Sequence, residues 1–177
     1  MTCIVGLVED GKVYIGADSC SVDGWETRVL RVAKVFRLGE FIIGYTTSFR
    51  MGQILQHHLS IEPKQENEPD EAYLVRVFIE AARKCLKDFG FTTVDKNVES
   101  GGVFLVGYRQ RLYRVSSDFQ ITEFEERLDA VGRGREYALG AMLALRDVTP
   151  VDRIQQALSI TGHLCGVVMG PYQVLDG

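Results

Sequence analysis

The chain has no basic cluster, no apolar run long enough to cross a membrane, no CxxC pair and no GxxxxGK[ST] phosphate loop. Each absence removes a class of function. With a formal net charge of −4, the missing basic cluster argues against a nucleic-acid partner; Arg31, Lys34 and Arg37 are spread through a short segment. A membrane span needs about 20 apolar residues, and neither that nor a basic leader with a hydrophobic core is found, so no membrane partner is expected. The four cysteines, Cys3, Cys20, Cys85 and Cys165, lack metal-ligand spacing, and His57 and His58 are adjacent and point to different sides of a helix. No metal or other cofactor is expected, and a reduced, cytoplasmic chain is the simplest reading. Without the phosphate loop, the chain carries no ATP site of that type. No internal repeat or low-complexity tract occurs.

What is there suits one globular domain over residues 1–177, with 46% apolar and 25% charged residues. Two β-rich runs, 3–8 and 12–17, are joined by Asp10-Gly11, a strong hairpin turn. A second strand pair spans 33–38 and 41–45. Met51, Ile54, Leu55 and Leu59 lie on one face of a helix, and 60–70 reads as a loop. A longer helix over 71–88 buries Leu74, Phe78, Ala81, Ala82, Cys85 and Leu86 and stops at Gly90. Then come a hairpin (102–108, 111–115), a strand (128–131), and a helix with Tyr137, Ala138, Ala141, Met142 and Leu145 inward. Thr149-Pro150-Val151-Asp152 starts the last helix. A final hairpin is expected over 164–169 and 172–175. Strand sets alternating with helix pairs suggest two stacked sheets, each covered by helices, or a looser α+β domain.

Thr2 stands directly behind the initiator methionine and opens the first strand. Methionine is readily trimmed before so small a residue, which would leave Thr2 with a free α-amine of pKa about 7.7–8.0. Such a residue holds a nucleophilic hydroxyl and a base together. The first hairpin returns Asp18 to the end of the sheet where Thr2 starts, and Lys34 on the next strand could reach both. An ammonium near the hydroxyl lowers the cost of the alkoxide, and an aspartate keeps that ammonium charged and oriented. Singly, each is a common strand or surface residue; jointly they favour function.

This constellation resembles the proteasome β-subunits and the HslV peptidase, of the N-terminal nucleophile (Ntn) hydrolase superfamily. Thr2-Cys3-Ile4-Val5 is similar to the family's mature N-terminus, Gly16-Ala17-Asp18-Ser19 to its acidic motif, and Lys34 stands at its lysine position. Gly44-Tyr45-Thr46-Thr47-Ser48 is similar to the loop supplying a backbone oxyanion donor, and Val131-Gly132-Arg133-Gly134 to the later glycine-bracketed turn. The resemblance implies a four-layer α-β-β-α sandwich of mainly antiparallel sheets and a threonine-type peptidase, with Thr2 as nucleophile and base and with Asp18 and Lys34 supporting it. It also implies peptide or unfolded-protein substrates, homo-oligomeric rings, and a separate ATP-dependent unfoldase as feeder.

The chain departs from that pattern at three places. Arg133 replaces the serine between the later glycines, and reads as a surface residue, an inter-subunit contact, or a replacement that silences the site. His163 stands where the family often has an aspartate after the last helix, and is read as structural. The oxyanion loop lacks its usual glycine; Thr47 is the best match for the donor, with Thr46 or Ser48 on a shifted register. Ser19 and Cys20 read as turn residues, or more sharply as cleft lining, and Cys3 as a buried strand residue. Two rivals stand beside the peptidase: a proteasome-like scaffold that assembles without cutting, and an Ntn amidohydrolase acting on a small amide.

Overall fold

The computed structural model describes residues 2–177; Met1, whose removal the sequence leads one to expect, lies outside the described residues. The first hairpin pairs β1 (Cys3–Glu9) with β2 (Lys12–Ala17). Its turn places Asp10 and Gly11 both in the left-handed region, at φ 50° and 72°, the conformation a two-residue hairpin needs to match strand twist. A side arm follows, β3 (Cys20–Asp23) paired with β4 (Glu26–Val29). Next come β5 (Val35–Leu38), β6 (Phe41–Tyr45) and helix α1 (Phe49–His58), whose first turn is capped by the Ser48 hydroxyl accepting from Arg50 N at 3.1 Å.

Helix α2 (Asp70–Tyr73) runs through a π-helical stretch, Leu74–Phe78, into α3 (Ile79–Asp88). A second arm, β7 (Thr93–Asp95) and β8 (Val98–Ser100), precedes β9 (Phe104–Tyr108), β10 (Arg111–Val115), β11 (Ile121–Glu123) and β12 (Leu128–Gly132). Helices α4 (Arg135–Ala144) and α5 (Pro150–Leu164) and strand β13 (Gln173–Asp176) complete the order. Thr149 caps α5 by accepting from Asp152 N at 3.2 Å, with Pro150 in the first turn, as its residues foretold.

The strands form two antiparallel main sheets, ordered β12-β1-β2-β13 and β11-β10-β9-β6-β5. Between them lies an aliphatic layer that includes Ile4, Val13, Ile15, Val35, Ile42 and Leu105. Glycine sets how closely the sheets approach: a Cβ on Gly44 would lie 2.6 Å from the Ile4 side chain and 2.8 Å from that of Ile15. On the far side of the second sheet, the helices from α1 to α3 cover an aromatic core in which Phe41 stacks on Phe78 and Tyr108, at 4.7 and 4.6 Å between ring centroids. On the far side of the first, α4 and α5 bury Ala138, Met142, Ile154 and Leu158 against Val5, Leu7 and Ala130. The architecture is the α-β-β-α sandwich, with apolar material filling all three interlayer spaces.

Some expectations are corrected. Val35, not residue 33, opens β5, so Lys34 immediately precedes the strand, although its carbonyl still accepts from Tyr45 N at 3.0 Å. No hairpin spans 164–175. Helix α5 runs to Leu164, the next residues form turns, and β13 pairs with β2 instead. The apolar run there is anchored through its backbone: the Met169 carbonyl accepts from Ser19 N at 2.8 Å. Tyr137 faces solvent at 49% exposure, because the inward face of α4 is carried by Ala138, Ala141 and Met142. No helix among the described residues is long and apolar enough to cross a membrane.

Candidate active site

Pairing of β1 with β12 sets Cys3 opposite Gly132, and pairing of β1 with β2 sets Ile4 opposite Ala17. Thr2 and Asp18 therefore sit one residue beyond the same sheet end. Cys3 N donates to Asp18 Oδ1 at 2.8 Å, and Asp18 N donates back to the Cys3 carbonyl at 3.3 Å. The other carboxylate oxygen accepts from Cys20 N, also at 2.8 Å. Lys34 Nζ reaches Oδ1 at 3.1 Å and Oδ2 at 3.0 Å, and donates to the Cys20 carbonyl at 2.6 Å. The amide nitrogen that joins Cys3 to Thr2 is thus bonded to the same carboxylate that holds Lys34.

The pair is deeply buried. Lys34 is 0% and Asp18 1% exposed, and the Phe49 ring centroid lies 5.6 Å from Nζ. Burial pushes the Lys34 ammonium below its ordinary value, while the Asp18 charge pulls it the other way. A buried ion pair persists when further hydrogen bonds satisfy its remaining groups; here two backbone amides and one carbonyl do so. The Phe49 ring and the Cys20 carbonyl were not anticipated. Gly24, at φ 56° in the two-residue turn Gly24-Trp25, was the available signal that Cys20 begins a strand.

On its other flank Thr2 is held by the glycine-bracketed turn. Its carbonyl accepts from Arg133 N at 2.8 Å. Gly132 has φ +93°, and a Cβ there would stand 2.0 Å from the Thr2 carbonyl oxygen and 2.7 Å from Thr46 Oγ1. Thr2, Gly132 and Thr46 therefore meet at one point, and Thr2 is 5% exposed. Of the three candidate donors in the following loop, Thr46 N is engaged by the Val103 carbonyl at 3.2 Å and Ser48 N by the Thr46 carbonyl at 2.7 Å. The Thr47 N–H takes no partner among the described residues. Thr47 is exposed, with φ 65°, and its hydroxyl accepts from Val103 N at 3.0 Å. A β-branched residue in the left-handed region is strained, and glycine there would relieve it.

The remaining candidates join the cluster at most through their backbone, not through their side chains. Ser19 is 2% exposed, with its hydroxyl donating to the Pro171 carbonyl at 2.6 Å, and Cys20 is 0% exposed, so both are structural and neither lines a cleft. Cys3 is buried on its strand, and burial, reinforced by the Asp18 charge, pushes its thiol up to about 12. His163 lies inside α5, exposed, with Nδ1 2.9 Å from the Ser159 carbonyl. The Arg133 side chain is exposed and only its amide engages Thr2. Among the described residues no group of three or more His, Cys, Asp or Glu side chains is disposed to hold a metal.

No protein-family model matches the chain. The ATP-dependent protease subunit HslV of Aquifex aeolicus is 25% identical over 169 residues, covering 93% of this chain and 90% of the relative. The solved structure of Thiobacillus denitrificans BPH in complex with epoxomicin superposes with a TM-score of 0.81 at 20% identity, covering 99% of this chain and 98% of that one. HslV from Trypanosoma brucei does so at 0.69 and 18% identity, covering 99% and 98%. Over nearly its whole length the chain is HslV-like in sequence, and it carries the α+β sandwich fold of the HslV and BPH structures.

Proposed function

We propose that the chain is a threonine-type peptidase whose nucleophile is Thr2, freed by removal of Met1. The observation that carries this reading is the continuous hydrogen-bonded path from Lys34 through Asp18 to the Thr2–Cys3 peptide. The Thr2 hydroxyl attacks the scissile carbonyl and its proton passes to the α-amine. Lys34 stabilises the developing alkoxide electrostatically, Asp18 keeps Lys34 charged and aimed, and the Thr47 N–H receives the oxyanion. The C–N bond breaks, the departing amine takes up the proton, and an ester to Thr2 remains. Water then adds to the ester and restores the threonine.

The wider reading extends from the HslV relatives, which are named subunits of an ATP-dependent protease. Residues 1–177 act as one Ntn-hydrolase domain in cytoplasmic homo-oligomeric rings, and a separate ATP-dependent unfoldase delivers unfolded protein. The rival scaffold reading is favoured by one observation: Arg133 leaves the turn beside Thr2 without the serine hydroxyl of the family pattern.

The test is labelling by an electrophilic peptide probe, with intact-mass measurement of the chain from its native host. Loss of one methionine and labelling that vanishes in Thr2→Ala are the expected results. Labelling that persists in Thr2→Ala overturns the nucleophile assignment, and a fully retained methionine without labelling favours the scaffold. Turnover of simple acyl amides but not short peptides would point to the small-amide enzyme.

A further inference from the structure

Arg133 departs from the family pattern, and its surroundings give that departure a use. Its amide donates to the Thr2 carbonyl, so the turn is pinned against the nucleophile residue, while its side chain is exposed. The turn forms one wall of a cavity of about 470 Å³, lined also by Glu136, Tyr137, Leu164, Cys165 and Val167. Tyr137 and Leu164 present apolar surface there, at 49% and 62% exposure. The only carboxylate on the lining, Glu136, is already engaged: Arg135 Nε donates to it at 2.8 Å, and that contact holds its carboxyl below the usual range. Arg133 has no carboxylate partner among the described residues. The cavity lined by the turn that bonds Thr2 therefore holds one cation without a carboxylate partner among the described residues.

We propose that Arg133 is a specificity-determining residue, selecting peptides that carry an aspartate or glutamate close to the scissile bond. This rests on the threonine-peptidase reading. A guanidinium offers a planar fork of N–H donors that matches a carboxylate in two-point geometry, whereas a neutral amide of the same shape gains no charge assistance. A peptide lying against Thr2 and crossing the turn enters this cavity, where an acidic side chain meets Arg133 and its aliphatic portion meets Tyr137 and Leu164.

The experiment uses peptides identical except for Glu or Gln at each position flanking the cleaved bond. Cleavage is followed in the natural chain, Arg133→Gln and Arg133→Glu, and equilibrium binding of the same peptides is measured in a Thr2→Ala background. The expected result is a Glu-over-Gln preference on the order of fivefold at one position, as a partly exposed ion pair supplies. It should be lost in Arg133→Gln, reversed toward Lys-bearing peptides in Arg133→Glu, and diminished by salt. A Glu-to-Gln ratio that is the same in all three chains, in binding as well as cleavage, overturns the proposal. Binding keeps the outcomes apart. Charge preference absent with Thr2-dependent labelling intact sinks the Arg133 role alone, whereas labelling that survives Thr2→Ala sinks the peptidase reading.

Discussion

Asp18 grips the Lys34 ammonium with both carboxylate oxygens, at 3.1 and 3.0 Å, while the same two oxygens accept the amides of Cys3 and Cys20. The two residues are therefore unequal. Asp18→Ala removes the anion and strands two amides and a buried ammonium, at a cost of about 3–5 kcal/mol. Lys34→Met leaves Asp18 with its two backbone donors and costs less. Urea denaturation of both variants checks the order, and equal losses would mean that the amides contribute nothing. Both variants should lose probe labelling.

Labelling should follow a bell-shaped pH profile. Its acidic limb reports the Thr2 amine, which must be neutral to take the hydroxyl proton. Its alkaline limb reports Lys34, which burial places below the ordinary lysine value of 10.5. Between that lowered pKa and 10.5 the unfolded chain binds more protons than the folded one, so the Lys34 contribution to stability rises with pH. Activity should fall across the window in which this contribution grows. An alkaline limb at or above 10.5 in rapid labelling assays would contradict the burial effect.

At Gly132 a methyl group would press first on the Thr2 backbone carbonyl, which cannot swing away, and then on Thr46 Oγ1, and its φ of +93° is itself unsuited to alanine. Gly132→Ala should cost roughly 2–4 kcal/mol, from overpacking and backbone strain together, and should sharply reduce labelling by displacing Thr2. Gly140, in α4, is the opposite case, with open space within 4 Å of the point a Cβ would occupy. Gly140→Ala should be neutral or stabilise by up to about 1 kcal/mol. Thermal melts of the pair give the comparison.

Thr47→Gly tests whether the loop donates through its backbone. The change relieves a left-handed threonine, worth on the order of 1–3 kcal/mol, but removes the hydroxyl that accepts from Val103 N, worth about 1 kcal/mol. Labelling should persist at near-natural rates with stability little changed. Loss of labelling would show that the side chain, not the N–H, carries the role.

Apart from the short edge strand β11, whose three residues are only partly buried or exposed, the strands of the main sheets and the long helices were legible because each buries one face, and burial writes alternation or a helical stripe into the residues. The two hairpin arms were not. Every residue of β4 and of β7 is exposed, so neither carries an apolar rhythm. The 164–169 run misled for the opposite reason: its valines read as a strand, yet the end of α5 and the Ser19 contacts decide its path. Asp18 and Lys34 could be paired with Thr2 because a short hairpin returns the chain on itself. The contact of Gly132 with Thr2 joins the two ends of a long stretch of chain, and only the β1–β12 register creates it.

Total burial also gives Lys34 a chemical signature. Its side chain is 0% exposed and its nitrogen already has hydrogen-bond acceptors. Amine-directed reagents should therefore derivatise the surface lysines of the folded protein and pass over this one until denaturant admits them. Protection of a single lysine in a footprinting experiment would then serve as a gauge of whether the centre of the molecule is intact, with no substrate needed.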